Sequence, residues 1–251
     1  MNRRLLFLIS LLIIIQTLLS ANPYYLNLPS YRLADKPEFR LTHRFLGDVG
    51  KQYFFGLDVG ANISLGAELP LANKWTWALY RSRFDQEYGT SLKLPLYTSQ
   101  TDSVLLLGGV TTRTDSSIVR NSTSWIGQLI YTRFIDEQLY VSLIPSFVTA
   151  TDRNDSDPAQ NDTSAVGAVI GYKLPFSSGL LKELEFVGEV VPVASGYHLK
   201  YPAFAVGVTA KTYGHFFSIL LTNTYYSTPA SYIIGNNVQD TYLAFNLIRK
   251  F

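Results

Sequence analysis

The chain has 251 residues, 47% hydrophobic and only 16% charged, with a formal net charge of +2 and no cysteine. The missing cysteine excludes disulfides, thiolate metal sites, cysteine nucleophiles and a lipoprotein anchor. The near-neutral balance leaves no basic stripe for nucleic acid. Its length suits one large all-β domain as well as two small ones. Aromatics make up 14%, with 17 Tyr and 15 Phe, a richness that suits the two rims of a membrane barrel, where rings lie in lipid and polar tips reach the headgroups. A Tyr-rich soluble sandwich or lipocalin-like barrel is the competing reading.

Met1–Ala21 has the form of a secretory signal peptide. Arg3 and Arg4 supply the positive start, Leu5–Ile15 the apolar core, and Ser20 and Ala21 a small-residue cleavage site. An uncleaved anchor helix is the alternative, weakened by Gln16 and by the short core. Asn22–Lys36 carries Pro29, ends before Pro37 and shows no period; it is expected to be an irregular periplasmic lead-in.

From residue 37 to 251 the chain divides into segments of roughly ten residues with alternating character, bounded by turn residues. The candidate strands are Glu38–Leu46, Gly60–Pro70, Trp75–Phe84, Glu87–Thr98, Ser103–Arg113, Ser124–Ile135, Leu139–Ala150, Thr163–Leu174, Lys182–Ala194, Pro202–Thr212, His215–Thr224 and Thr241–Phe251. About twelve spanning strands result, with 10–14 as the range. Connections after even-numbered strands are short, as at Leu71–Lys74 and Tyr213–Gly214. Those after odd-numbered strands are mostly longer and more polar, as at Gly47–Val59 and Tyr225–Asp240. That asymmetry is the outer-membrane pattern, with the short side periplasmic. Asp85–Gln86 departs from it by being short on the long side.

Several strands have one oily and one polar face. Ile63, Leu65, Ala67 and Leu69 oppose Asn62, Ser64, Gly66 and Glu68, while Leu184, Phe186 and Val190 oppose Glu183, Glu185 and Glu189. A charge facing lipid at mid-bilayer costs roughly 2–4 kcal/mol, so the charged faces must look inward. Closure of the sheet then removes the edges that lipid would penalise. Trp75–Phe84 could turn either face outward, and Pro95, Pro145 and Pro192 interrupt strands where a ladder donor is expected.

The final strand places Leu243, Phe245, Leu247 and Phe251 on one face, with Tyr242, Asn246 and Lys250 on the other. It resembles the C-terminal signal that outer-membrane barrels present to their insertion machinery, apart from Arg249 on the apolar face. Further motifs are His43-Arg-Phe45, Phe54-Phe-Gly-Leu-Asp58, Gly60-Ala-Asn-Ile-Ser-Leu-Gly66 and Arg81-Ser-Arg-Phe84. They continue with Pro145-Ser-Phe147, His215-Phe-Phe-Ser-Ile-Leu-Leu-Thr-Asn223 and Asn246-Leu-Ile-Arg-Lys-Phe251. In this order the chain resembles a family of bacterial outer-membrane β-barrel proteins known only as a domain of unknown function. The resemblance implies fold and location and brings no activity with it.

The functional candidates are the inward charges Arg40, Arg44, Glu68, Lys93, Lys173, Glu183, Glu185, Glu189 and Lys211. They either line an aqueous path or form a salt-bridged plug in a narrow bore; the sequence leaves both open. Phe54–Asp58 could fold inward, or pack its rings against the outer rim. Asp152, Asn154, Ser156 and Asp157 share oxygen-rich spacing with a calcium loop but lack its glycine and closing glutamate. A lipid-rim hydrolase needs a base beside a nucleophile. The three histidines, His43, His198 and His215, are not placed for that, and no cofactor or metal motif occurs. The expectation is a non-enzymatic, closed antiparallel up-and-down transmembrane β-barrel in the outer membrane of a diderm bacterium. It would act as a narrow passive pore for small polar solutes, or else as a plugged structural or surface-binding barrel. Its partners would be outer-membrane lipid and the barrel-insertion machinery.

Overall fold

The computed structural model describes residues 24–251 except 52, 116–121, 153–160 and 175–177. The alternation read from the sequence becomes a wall of antiparallel strands. These begin with β1 (Glu38–Asp48), β2 (Ala61–Pro70), β3 (Thr76–Ser82), β4 (Glu87–Thr98), β5 (Asp102–Arg113) and β6 (Thr123–Phe134). They continue with β7 (Leu139–Val148), β8 (Thr163–Leu174), β9 (Glu183–Val191), β10 (Val193–Gly196), β11 (Ala203–Lys211), β12 (His215–Thr222) and β13 (Tyr242–Lys250). Among the described residues these 13 strands form one sheet. From β1 to β9 and from β11 to β13 each strand pairs with the next, β9 pairs with β11, and β1 also pairs with β13, Glu38 opposite Lys250 and Arg44 opposite Ala244. That last pairing closes the ring. Strand β10 continues β9 beyond Pro192 and extends the same wall position against β8, so twelve positions complete the barrel, as expected.

The interruptions have local causes. Pro95 sits at a register shift between β4 and β5. Pro145 lies where the β6–β7 register passes from Gln128–Ser146 to Tyr131–Leu143. Pro192 divides β9 from β10. In each case the missing amide donor falls at a break in the ladder. The short Asp85–Gln86 connection is a tight hairpin with φ of 56° and 46° at its two central residues, the mirror-image turn that matches strand twist. Strand β3 is also settled: Trp77, Leu79 and Arg81 face outward, and Thr76 and Ser82 are buried inside.

Two features of the interior depart from expectation. Part of the inner wall, on β5 to β9, is apolar: Leu105, Leu107, Ile126, Ile130, Ile144, Val148, Val169, Val187 and Val191 are all buried. The lumen is also filled by two segments of the chain itself. Of Asn22–Lys36, expected as an irregular periplasmic lead-in, the stretch from Tyr24 to Ala34 is irregular but lies within the barrel and is mostly buried. The loop after β12, expected on the outside, folds in from the opposite rim, so that residues 226–236 are buried. Tyr25, Leu26 and Leu28 from the first segment, with Tyr232, Ile233 and Ile234 from the second, join the apolar wall in one core cluster. Each buried Leu or Ile contributes roughly 1.5–3 kcal/mol, a physical reason for both segments to turn away from water.

Two tyrosines of the wall lie over glycines on the adjacent strand. Tyr80 is opposite Gly89 and Tyr140 is opposite Gly171. A Cβ at Gly89 or Gly171 would stand 2.2 or 2.0 Å from the ring of its tyrosine. Glycine is needed there for space, and the ring covers the backbone it exposes.

Candidate functional site: the filled lumen

Tyr24 to Ala34 are held chiefly by inward side chains of the wall. A tight turn, with Tyr24 bridged to Pro29, points three successive amides at one carboxylate. Glu189 on β9 accepts from the main-chain N–H groups of Leu26 (3.3 Å), Asn27 (2.9 Å) and Leu28 (3.2 Å), and from the Asn27 side-chain amide (2.8 Å). Arg44, fully buried on β1, donates to Asn27 Oδ1 (2.7 Å) and to Asn246 Oδ1 on β13 (2.8 Å). The Asn246 amide in turn donates to the carbonyl of Leu26 (2.7 Å).

Nearer the rim of short turns, Lys93 Nζ donates to the carbonyls of Ser30 (3.3 Å) and Arg32 (3.0 Å). The Arg32 guanidinium lies 3.5 Å from both Glu183 and Glu185. The amide of Ala34 donates to Thr76 Oγ1 (2.9 Å). Tyr25 shares hydrogen bonds with Thr132 and Ser142, and stacks on Tyr140 with ring centroids 5.6 Å apart. Arg40 lies 3.6 Å above the centre of the Tyr24 ring. Burial pushes the hydroxyls of Tyr24, Tyr25 and Tyr232 well above the ordinary tyrosine range, so they remain neutral.

The inserted loop has anchors of its own, although its Tyr232 also comes up against Glu189 and Asn27. Thr228 and Ser231 donate to Glu87 Oε2 at 2.9 and 2.7 Å, and Thr111 to Glu87 Oε1 at 2.7 Å. Asn62 donates to the Tyr225 carbonyl at 2.9 Å. Phe84, beside the short hairpin, packs against Tyr225 and Tyr226 at 4.8 and 5.6 Å. Main-chain bonds then stitch this loop to the β10–β11 connection: Leu199 N–H to Ile234 (2.8 Å), Tyr201 N–H to Asn236 (2.8 Å) and Asn236 N–H to Tyr201 (2.9 Å). A cavity of about 20 Å³ lies where Tyr24, Arg40, Thr42, Glu68, Ser227 and Pro229 meet.

The structure therefore places the inward candidates on the inside of the wall, and it adds what they touch. Arg44, Lys93, Glu183, Glu185 and Glu189 meet the first inserted segment through the contacts above, while Arg40 and Glu68 surround Tyr24. Lys173 sits 6.0 and 5.9 Å from the Tyr31 and Tyr140 rings, and Lys211 lies 5.7 Å from that of Phe216. Sequence reading missed Glu87, Asn27 and Asn246, whose roles depend on partners far away in the chain. The apolar inner patch did leave a signal: the run Val104–Leu107 is oily on both faces, as strands buried on both sides are.

The other candidates are more scattered. Phe54 and Phe55 are 70% and 62% exposed, so they neither turn inward nor pack against the rim. Both have positive φ, 52° and 58°, which is strained for aromatic residues. Asn154, Ser156 and Asp157 of the acidic loop lie outside the described residues. His43 stacks on Phe245 at 4.9 Å, His215 on Phe217 at 5.6 Å, and His198 contacts the Gly196 carbonyl. Leu243, Phe245 and Leu247 alternate with the buried Ala244 and Asn246 on β13 and so face outward.

A sequence family described as a membrane bound beta barrel domain (DUF5777) matches residues 24–251. No curated protein matches the sequence. Among solved structures, the fold resembles the NanC porin with a TM-score of 0.54 and 9% identity, covering 86% of this chain and 98% of that one. The KdgM porin aligns with a TM-score of 0.49 and 9% identity over 86% of this chain and 99% of its own. LpxR from Salmonella typhimurium gives 0.46 and 10% identity over 85% and 100%.

Proposed function

The chain belongs to that family of membrane-bound β-barrel domains, and from this premise we propose that it is an outer-membrane barrel held closed by its own chain. The observation that carries the reading is the use of the inward charges. Glu189, Arg44 and Lys93 satisfy main-chain and amide groups of the inserted segment, where an aqueous pore would leave them facing water. An apolar core that both inserts share with the wall interrupts the polar lining beside those charges. Export through Met1–Ala21 and insertion through the outward residues of the last strand belong to the same reading, as does a role without catalysis. Single-channel recording on protein reconstituted in planar bilayers tests it. A silent baseline at low voltage is expected, and a steady ohmic conductance would overturn it.

A second reading is the narrow pore for small polar solutes. It is favoured by the polar inner face of β1 to β4, where Arg40, Thr42, Asn62, Ser64, Glu68 and Lys93 are gathered. Under that reading the same recording shows openings whose current depends on ion sign.

A further inference from the structure

We infer that Tyr24–Ala34 is a reversible ligand of the barrel, and that the inward charges form a peptide-binding site for it that opens toward the rim of short turns. The inference rests on the closed-barrel reading and adds which insert can leave. Among the described residues, no main-chain hydrogen bond joins Tyr24–Ala34 to the wall; the one main-chain bond within it runs from Tyr25 N–H to the carbonyl of Leu28. Its contacts are instead those of a bound peptide. Wall side chains read the N–H groups of Leu26, Asn27, Leu28 and Ala34 and the carbonyls of Leu26, Ser30 and Arg32. They read one polar side chain from both sides, Asn27 between Glu189 and Arg44.

Departure of this segment leaves every strand ladder intact, because none of its groups belongs to one. The loop at residues 225–240 differs on this point, since it is stitched by main-chain bonds to Leu199 and Tyr201. Of the two inserts, the first is the one that can exchange. Its direction follows from its tether, since the carbonyl of Pro37 accepts from the N–H of Phe251 at the short-turn rim. Ligands of this class are short peptides with unpaired main-chain donors and acceptors and an asparagine at the turn. The occupant here is the chain's own segment.

The absence of cysteine permits a direct test on the full-length protein in lipid vesicles with a membrane-impermeant maleimide. Leu28→Cys is expected to react at least tenfold faster than Ile234→Cys in the stitched loop, and Glu189→Gln to accelerate the first by a further tenfold, well beyond any change in the second, whose neighbour Tyr232 also faces Glu189. Equal rates for the two, or no effect of Glu189→Gln, would overturn the inference. If a variant does not fold, hydrogen exchange on the unmodified chain decides the matter. Amides of Leu26, Asn27 and Leu28 are expected to exchange well before those of Leu199, Tyr201 and Asn236; equal protection would overturn the inference. Silence in bilayers with equal labelling rates would sink this inference alone. Steady conductance with a protected Leu28→Cys would sink the closed barrel as well.

Discussion

Glu189 and Asn27, separated by 162 positions in sequence, are joined inside the barrel by two hydrogen bonds to one carboxylate oxygen, from the Asn27 main chain and from its side chain. The pair links the wall to a stretch without secondary structure, and it explains why a buried acid is tolerated there. A buried carboxylate is costly unless its lone pairs are satisfied, and here donors from three consecutive residues satisfy them.

Glu189→Ala removes the acceptor shared by those donors. Unpaired buried donors cost about 1–3 kcal/mol each before relaxation, so the variant should lose about 3 kcal/mol in unfolding from vesicles by urea. Glu189→Gln, which keeps an acceptor oxygen, should lose less. Equal midpoints for the wild type and Glu189→Ala would contradict the anchoring role.

Gly171→Ala should force the Tyr140 ring away from β8 and disturb its stacking on Tyr25. Overpacking of this kind costs about 1–3 kcal/mol. Tyr140→Ala combined with Gly171→Ala should be less damaging than the sum of the two single changes, because the clash is already gone. Strict additivity in denaturation would show that the ring and the glycine are not coupled.

On the outside, position along the strand decides the effect of a charge. Ile170→Arg, in the middle of β8 and 55% exposed, should destabilise insertion by about 2–4 kcal/mol, whereas Phe39→Arg beside the short-turn rim should cost at most about 1 kcal/mol. Folding titrations into bilayers measure both. The same penalty at the two sites would mean that the lipid boundary lies elsewhere.

Chymotrypsin offers a test of the inserted loop, which carries Tyr225, Tyr226 and Tyr232. In the folded barrel these sites should resist cleavage. Glu87→Ala, which unseats Thr228 and Ser231, should expose them while the barrel keeps its compact, heat-modifiable gel mobility. Rapid cleavage of the wild type would show the loop outside the lumen.

Much of the wall is legible in the sequence. Alternation of Ile63, Leu65, Ala67 and Leu69 with Asn62, Ser64, Gly66 and Glu68 requires only that a strand has two faces, and the structure keeps that parity. The inward candidates were legible for the same reason. Their partners were not. Tyr25 meets Ser142, Leu26 meets Asn246 and Thr228 meets Glu87 at separations of 117, 220 and 141 residues, and such contacts leave no local period to read.

What the sequence determined by itself was a closed ring of about twelve strands with its oily faces outward, because lipid on one side imposes a repeat of two on every strand. What only the tertiary structure decided was the content of that ring. Tyr24–Ala34 and residues 225–240 carry no periodic pattern that would distinguish a loop in water from an insert in a lumen. Their placement is set by the apolar patch from Leu105 to Val191 and by the charges beside it, which come together only once the barrel has closed.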